Sequence, residues 1–150
     1  MATITTVKHF KELTNIELYD IMALRQMVFV VEQTCYYLDA DGKDLDSWHL
    51  MVCDINDRLI AYSRILPKGI SYDDYASIGR VASHPLERGT GMGKLLLEQS
   101  IMALYYLLGK QPIKIGAQCY LIKFYENFGF VVQGEPYLED DIPHIKMVLS

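Results

Sequence analysis

The order of apolar and polar positions along the chain predicts that strands and helices alternate. Residues 3 to 10 favour a strand, and apolar residues recur near the helical period from Ile16 to Gln33, with Asn15 as the expected N-cap. The same period returns from Gly91 to Leu108, where Gly109 is placed to end a second, longer helix. The remaining stretches must therefore hold the strands.

Strand-like patterns fill those stretches. Two of them, Trp48–Ile55 and Arg58–Leu66, flank the turn residues Asn56-Asp57 and predict a hairpin. The other predicted elements are strands over Ala76–His84, Pro112–Ala117, Phe130–Val132 and His144–Leu149, and a short helix over Tyr120–Phe128. Because neither a repeat nor a flexible linker divides the chain, we predict a single domain over residues 1–150, of the α+β class with a mostly antiparallel sheet.

Composition and charge exclude several classes of function. The chain has 150 residues, of which 51% are hydrophobic, and its net charge of -5 opposes non-specific binding to nucleic acid or to an anionic membrane. The longest apolar run, Ile101–Leu108, is far shorter than the roughly 20 residues of a membrane-spanning helix. Three scattered cysteines and an N-terminus without a secretion signal lead us to expect a cytoplasmic protein.

The segment Ser83–Lys94 joins a predicted strand to the long helix and carries the strongest chemical signal. Gly89, Gly91 and Gly93 alternate there, with Arg88 before them and a lysine after them. Such glycines leave backbone N–H groups open at a helix N-terminus, where the helix dipole adds about half a positive charge. The segment therefore predicts a phosphate site, although its spacing fits neither a P-loop nor a dinucleotide-binding turn. A plain strand-to-helix connection is the alternative.

Two motifs carry a resemblance to a known family. Arg88-x-x-Gly91-x-Gly93 resembles the R/Q-x-x-G-x-G/A signature of the GNAT superfamily of acyl-CoA-dependent N-acyltransferases, and Phe124–Phe130 is similar to its F-Y-x-x-x-G-F segment. The order of predicted elements also matches, and Leu24–Gln33 and Tyr137–His144 are similar to the ElaA-like subgroup. The resemblance implies a GNAT-like fold, in which a central, mostly antiparallel mixed sheet has helices on both faces.

The resemblance also implies a cofactor site for acetyl-CoA, used as a cosubstrate. The pyrophosphate would lie on the glycine turn, and a main-chain N–H at about Val81 would polarise the acyl carbonyl. The residues that would bind the cosubstrate are Val81, Ser83, Arg88, Gly89, Thr90, Gly91, Met92, Gly93 and Lys94. Gln118 and Leu121 stand where the family often has Asn and Ala.

The catalytic residues are less sharply indicated. By resemblance, Tyr125 would protonate the departing thiolate, whereas simple packing of this tyrosine on a short helix is the alternative. His144 or Glu139 would accept the proton of the amine, directly or through water, and a structural role remains open for each. Glu32 and His49 are weaker candidates, because the helix and hairpin that hold them explain them without chemistry.

A run of acidic residues, Asp39, Asp41, Asp44 and Asp46, precedes the hairpin. Its spacing departs from a calcium-binding loop, so we expect no metal site. The run is interpreted either as a solvated loop or as a source of negative charge that guides a cationic amine to the cleft.

Together these features predict an N-acetyltransferase that moves an acetyl group from acetyl-CoA to a primary amine by direct attack in a ternary complex. The acceptor would be an amine-bearing small molecule or peptide, and a homodimer is one option for its assembly. Nucleic acid and membranes are not expected as partners. The alternative is a non-catalytic module that binds or senses coenzyme A or acyl-CoA.

Overall fold

The computed structural model describes residues 2–150, which form seven strands and three α-helices. The strands are β1 (Thr3–His9), β2 (Trp48–Asp54), β3 (Leu59–Leu66), β4 (Ser77–Ser83), β5 (Ile113–Gln118), β6 (Val131–Glu139) and β7 (Ile142–Leu149). The α-helices are α1 (Asn15–Arg25), α2 (Met92–Leu108) and α3 (Ile122–Glu126). With the exceptions described below, the predicted bounds agree with these to within two residues.

The strands form two antiparallel sheets that meet at one point. β1 to β4 pair in sequence order, and β5, β7 and β6 pair in that order. The two sheets are joined by a parallel bridge between Ala76 and Ile113, next to which the Lys114 N–H donates to the Ala76 carbonyl over 3.0 Å. Beyond this bridge β4 and β5 diverge, so the mixed sheet is split by a wedge between them.

Helices cover both faces of the four-stranded sheet. Ile21 and Leu24 of α1 pack against Met51 and Tyr62 of the sheet. α2 packs in a larger core with the strand residues that are adjacent in sequence to those two. The core around α2 includes Leu50, Val52, Ala61, Ile65, Leu96, Leu97 and Leu104. Because successive residues of a strand point to opposite faces, the two clusters lie on opposite sides of the sheet. The predicted fold class is thus confirmed.

The first helix differs from expectation in its cap and its winding. The N-cap is Thr14 rather than Asn15, since the Thr14 hydroxyl accepts from the Glu17 N–H and the Glu17 carboxylate accepts from the Thr14 N–H. This capping box satisfies two N–H groups at once. After Arg25 the helix continues over Gln26–Glu32 as a π-helix, a form common at functional sites.

The predicted strand Phe130–Val132 is too short, because β6 runs to Glu139. A register shift between Gln133 and Tyr137 interrupts the pairing with β7, and Gly134 has a φ of +82° there. This irregularity hides the strand pattern in the sequence. The acidic segment near Glu139 is therefore the tip of a β6–β7 hairpin.

Within residues 2–150, no helix is both long and apolar enough to cross a bilayer.

Candidate active site

The wedge between β4 and β5 opens into a cavity of about 1160 Å³. This is larger than most sites for a single small ligand. Of the residues proposed from the sequence, the cavity is lined by Glu32, Val81, Ser83, Arg88, Gly89, Gly91, Met92, Gly93, Tyr125, Glu139 and His144. Thr90 and Lys94 belong to the same glycine turn but lie outside this lining. One cavity therefore collects residues from both sheets, the turn and α3.

A β-bulge shapes the wall of the cavity at Val81. The pairing of β3 with β4 jumps from Tyr62–Ala82 to Arg64–Gly79, so Arg80 and Val81 together lie opposite one residue of β3. Arg80 has a φ of +49°, which is unusual for a residue with a side chain. A bulge leaves one residue out of the ladder, so main-chain groups here are available to a ligand.

The glycine turn forms a cradle for an anion. Gly89 and Gly91 have φ angles of +78° and +83°, which favour glycine at both positions. Gly91 is the N-cap of α2, and because glycine lacks a side chain, the N–H groups of the first turn stay uncapped. The Thr90 hydroxyl donates to the Glu87 carbonyl over 2.5 Å and holds the turn. These open N–H groups and the helix dipole suit a polyphosphate.

Arg88 is paired in this structure. Its guanidinium donates to both carboxylate oxygens of Glu32, over 2.6 and 2.7 Å, across from the end of the π-helix. Hydrogen bonding to Arg88 lowers the pKa of Glu32. Of the two basic residues that flank the glycines, Arg88 is thus engaged by Glu32 and Lys94 is exposed, so backbone N–H groups supply most of the attraction for an anion.

Tyr125 combines packing with access to the cavity. The side chain is 7% exposed and makes edge contacts with Phe124 and Phe130, with ring centroids 5.3 and 5.8 Å apart. Burial raises the pKa of its phenol to about 12. The hydroxyl is therefore protonated at neutral pH. Gln118 and Leu121, which depart from the family pattern, also line the cavity.

His144 and Glu139 face each other across the β6–β7 hairpin. The Nδ1 of His144 lies 2.7 Å from the Ile142 carbonyl oxygen, and its Nε2 lies 3.3 Å from a carboxylate oxygen of Glu139. Both neighbours are hydrogen-bond acceptors, and the Nδ1–H group donates to the Ile142 carbonyl. His144 is buried, whereas the Glu139 side chain is 59% exposed. His49, in contrast, is fully buried between the Tyr62 hydroxyl and the Asp44 carbonyl.

Asp39 and Asp44 of the acidic run are buried in an ion-pair network, so the interpretation as a solvated loop is wrong for these two, whereas Asp41 and Asp46 are exposed. Arg25, which is 0% exposed, binds Asp39 and Asp44, each over 2.7 Å. Arg64 binds Asp41 over 2.8 Å and Asp44 over 3.0 Å. Arginines thus neutralise these carboxylates and leave them little attraction for a cationic amine.

The same network holds the β4 bulge. Arg80 donates to an Asp39 carboxylate oxygen over 2.8 Å, and its guanidinium lies 5.6 Å from the ring centroid of Tyr37. Burial would raise the pKa of Asp41, but hydrogen bonding and attraction from Arg64 lower it to about 2. The sequence signal that could have revealed the network is an arginine at a core position of α1 and another within β3.

Among residues 2–150, no group of three or more His, Cys, Asp or Glu side chains is arranged to bind a metal.

The fold and cavity define a family. A family model described as an acetyltransferase (GNAT) domain matches residues 31–150. This chain belongs to that family, whose members use acyl-CoA. Within the family it is similar to Protein ElaA of Escherichia coli, with 40% identity over 93% of this chain and 91% of ElaA. A UPF0039 protein of Synechocystis is 38% identical over 94% of this chain and 91% of its own length.

Solved structures support the same assignment. The crystal structure of an acyl-CoA N-acyltransferase from Pseudomonas aeruginosa is 42% identical, covers 99% of this chain and 100% of its own, and superposes with a TM-score of 0.94. The crystal structure of E. coli ElaA gives a TM-score of 0.92 over 99% of this chain and 100% of its own. The resemblance to the ElaA-like subgroup is thereby confirmed.

We predict that Arg25→Met lowers the free energy of unfolding by about 3–5 kcal/mol, because it leaves buried carboxylates without their partner. Arg88→Met breaks an exposed pair and should cost about 1 kcal/mol or less. Urea unfolding of both variants gives the comparison. Equal losses would contradict a stabilising role for the buried network.

Proposed function

We propose that this protein transfers an acetyl group from acetyl-CoA to a primary amine of a small molecule or peptide. The observation that carries the proposal is that one cavity is lined by the glycine turn, the bulge at Val81 and Tyr125. The likeness to the acyl-CoA N-acyltransferase of P. aeruginosa supports it. The single-domain organisation, the cytoplasmic location and the homodimer stay predictions.

The glycine turn and β4 form the donor half of the site. N–H groups from about Gly89 to Lys94 bind the pyrophosphate, and main-chain groups of Ser83 and Val81 face the pantetheine arm and the thioester. The Val81 N–H donates to the acyl oxygen. Negative charge grows on that oxygen in the transition state, so a donor fixed by the bulge lowers the barrier.

Tyr125 provides the proton for the leaving group. The amine nitrogen attacks the acyl carbon directly, the new C–N bond forms and the C–S bond breaks. The Tyr125 hydroxyl gives its proton to the sulfur, which leaves as the thiol. Its raised pKa keeps that proton available at neutral pH.

His144 accepts the proton that the amine loses. The Ile142 carbonyl holds the Nδ1 proton in place, which directs the Nε2 lone pair to act as the base. Once Nε2 is protonated, Glu139 stabilises the imidazolium from 3.3 Å away. His144 is thus the base, and Glu139 supports it.

Binding of coenzyme A tests the donor half. Gly91→Glu places a side chain at a φ of +83° and a negative charge on the anion cradle, so we expect affinity for coenzyme A to fall more than tenfold. Gly109→Glu is the matched control, because Gly109 has a φ of +84° and equally open surroundings at the other end of α2. Calorimetric titration with coenzyme A compares the affinities of the two variants. Equal losses would refute the turn as the pyrophosphate site.

Tyr125→Phe tests the acid and keeps the ring packing. We expect kcat to fall by about 10²–10⁴-fold with little change in KM for acetyl-CoA. The release of free coenzyme A thiol in the presence of a panel of amines measures kcat. Tyr106→Phe is the control, because Tyr106 is exposed. Full kcat in Tyr125→Phe with rate-limiting chemistry would rule out the acid role. Tight binding without turnover of any amine would favour the non-catalytic module.

His144→Gln tests the base. We expect a large loss of kcat/KM and a changed dependence of kcat on pH, because the variant has no imidazole in the ternary complex to accept the proton of the amine. Glu139→Gln should have a smaller effect, since that side chain is largely exposed. A pH–rate profile that His144→Gln leaves unchanged would assign the residue a structural role.

A further inference from the structure

Three polar side-chain atoms lie close to Gly116 on β5. A Cβ placed on Gly116 would lie 2.8 Å from the Tyr137 hydroxyl oxygen, and 3.6 Å from both the Lys146 Nζ and the Tyr72 hydroxyl oxygen. All four residues line the cavity. Because glycine carries no side chain, the Tyr137 hydroxyl can approach the β5 backbone this closely. We call Gly116, Tyr72, Tyr137 and Lys146 the Gly116 cradle.

The atoms of the cradle are mainly hydrogen-bond donors. The Tyr137 hydroxyl oxygen is buried and has no hydrogen-bond partner among residues 2–150. The Lys146 ammonium donates to the Tyr72 hydroxyl over 3.1 Å, which leaves two ammonium protons and the Tyr72 proton for other acceptors. In the described part of the chain no carboxylate forms a salt bridge with Lys146. Among the described residues, the Lys146 ammonium therefore has no carboxylate partner in the cradle.

The charge of the cradle matches a singly charged anion. Burial alone would lower the pKa of Lys146, but the phenols of Tyr137 and Tyr72 outweigh it and raise the pKa. The ammonium also lies 4.7 and 4.9 Å from the ring centroids of Tyr137 and Tyr72, which stabilises its positive charge. One cation and two neutral hydroxyls suit a carboxylate better than a phosphate, which favours several cations or an arginine.

The position of the cradle relates it to the acceptor amine. Gly116 pairs with Lys146 across β5 and β7, and His144 lies two residues before Lys146 on the same face of β7. Two residues of a strand span about 7 Å. A short molecule could therefore place a carboxylate in the cradle and an amine near the imidazole of His144.

We propose that the Gly116 cradle binds a substrate carboxylate, which makes the acceptor an amine that also carries a carboxylate, of about the size of an amino acid. This rests on the proposed transfer to an amine and on His144 as the base. The same carboxylate chemistry could come from the far end of a dicarboxylic acyl group, so the experiment separates the two sources.

Kinetics with matched acceptors test the proposal. Glycine, β-alanine and the L-α-amino acids are each compared with their carboxamides, with acetyl-CoA as donor. The wild-type protein should prefer the carboxylates, and Lys146→Met should raise their KM about tenfold or more while KM for the amides and acetyl-CoA changes less than about twofold. Gly116→Ala should act similarly, because the added Cβ crowds the Tyr137 hydroxyl.

Lys114→Met is the matched control. Lys114 also lies over the Tyr72 ring, 5.1 Å from its centroid, but it is not part of the cavity lining. It should leave the preference for carboxylates unchanged. Equal use of acids and amides by the wild-type protein, or an equal loss for both in Lys146→Met, would overturn the proposal.

A binding measurement keeps the test independent of turnover. Protein loaded with coenzyme A is titrated with N-acetyl amino acids and with their amides. Selective binding of the acids that Lys146→Met weakens about tenfold supports the cradle even if acyl transfer is not observed. Absence of binding by every acid, with coenzyme A bound, overturns it. If Lys146→Met instead weakens only succinyl-CoA relative to acetyl-CoA, the carboxylate belongs to the acyl group and the assignment of the acceptor is wrong.

Discussion

The single parallel contact between β4 and β5 is the constraint on which the cavity depends. Ala76 and Ile113 pair at the start of the two strands, and in the described chain β4 then pairs only with β3, and β5 only with β7. After this bridge the two strands separate, and each keeps only its own antiparallel partner. An interior sheet position normally buries its main-chain groups in a ladder, but here the wedge leaves two inner edges that a ligand can reach.

Neutralised charge shapes the acceptor side of this wedge. Arg25 and Arg64 satisfy the buried carboxylates of the acidic run, and Asp39 in turn holds Arg80 in the bulge next to Val81. The net negative charge of the chain therefore says little about the cavity wall. The positive groups on the wall that have no counter-charge include the N–H groups of the glycine turn and the Lys146 ammonium.

Sequence reasoning succeeded where the signal is local. The glycine turn, the long helix to Leu108 and the hairpin of β2 and β3 each depend on neighbouring residues, and their predicted bounds were close. It failed where distant residues decide the outcome. The partners of Arg25 lie 14 and 19 positions away, and the long β6 is concealed by the irregularity at Gly134. The Gly116 cradle depends on Tyr72 and Tyr137, from a loop and a strand that the sequence does not connect.

By itself the sequence determined the family, the order of elements and the anion-binding turn, because turn geometry, helix caps and helical periods are set by residues close together in the chain. Only the tertiary structure decided that Asp39 and Asp44 are buried against arginines, that His144 faces Glu139 and that Lys146 lies beside Gly116. These relations depend on the register between strands and on the angle at which the two sheets separate. A one-residue change in register would turn each of those strand side chains to the opposite face.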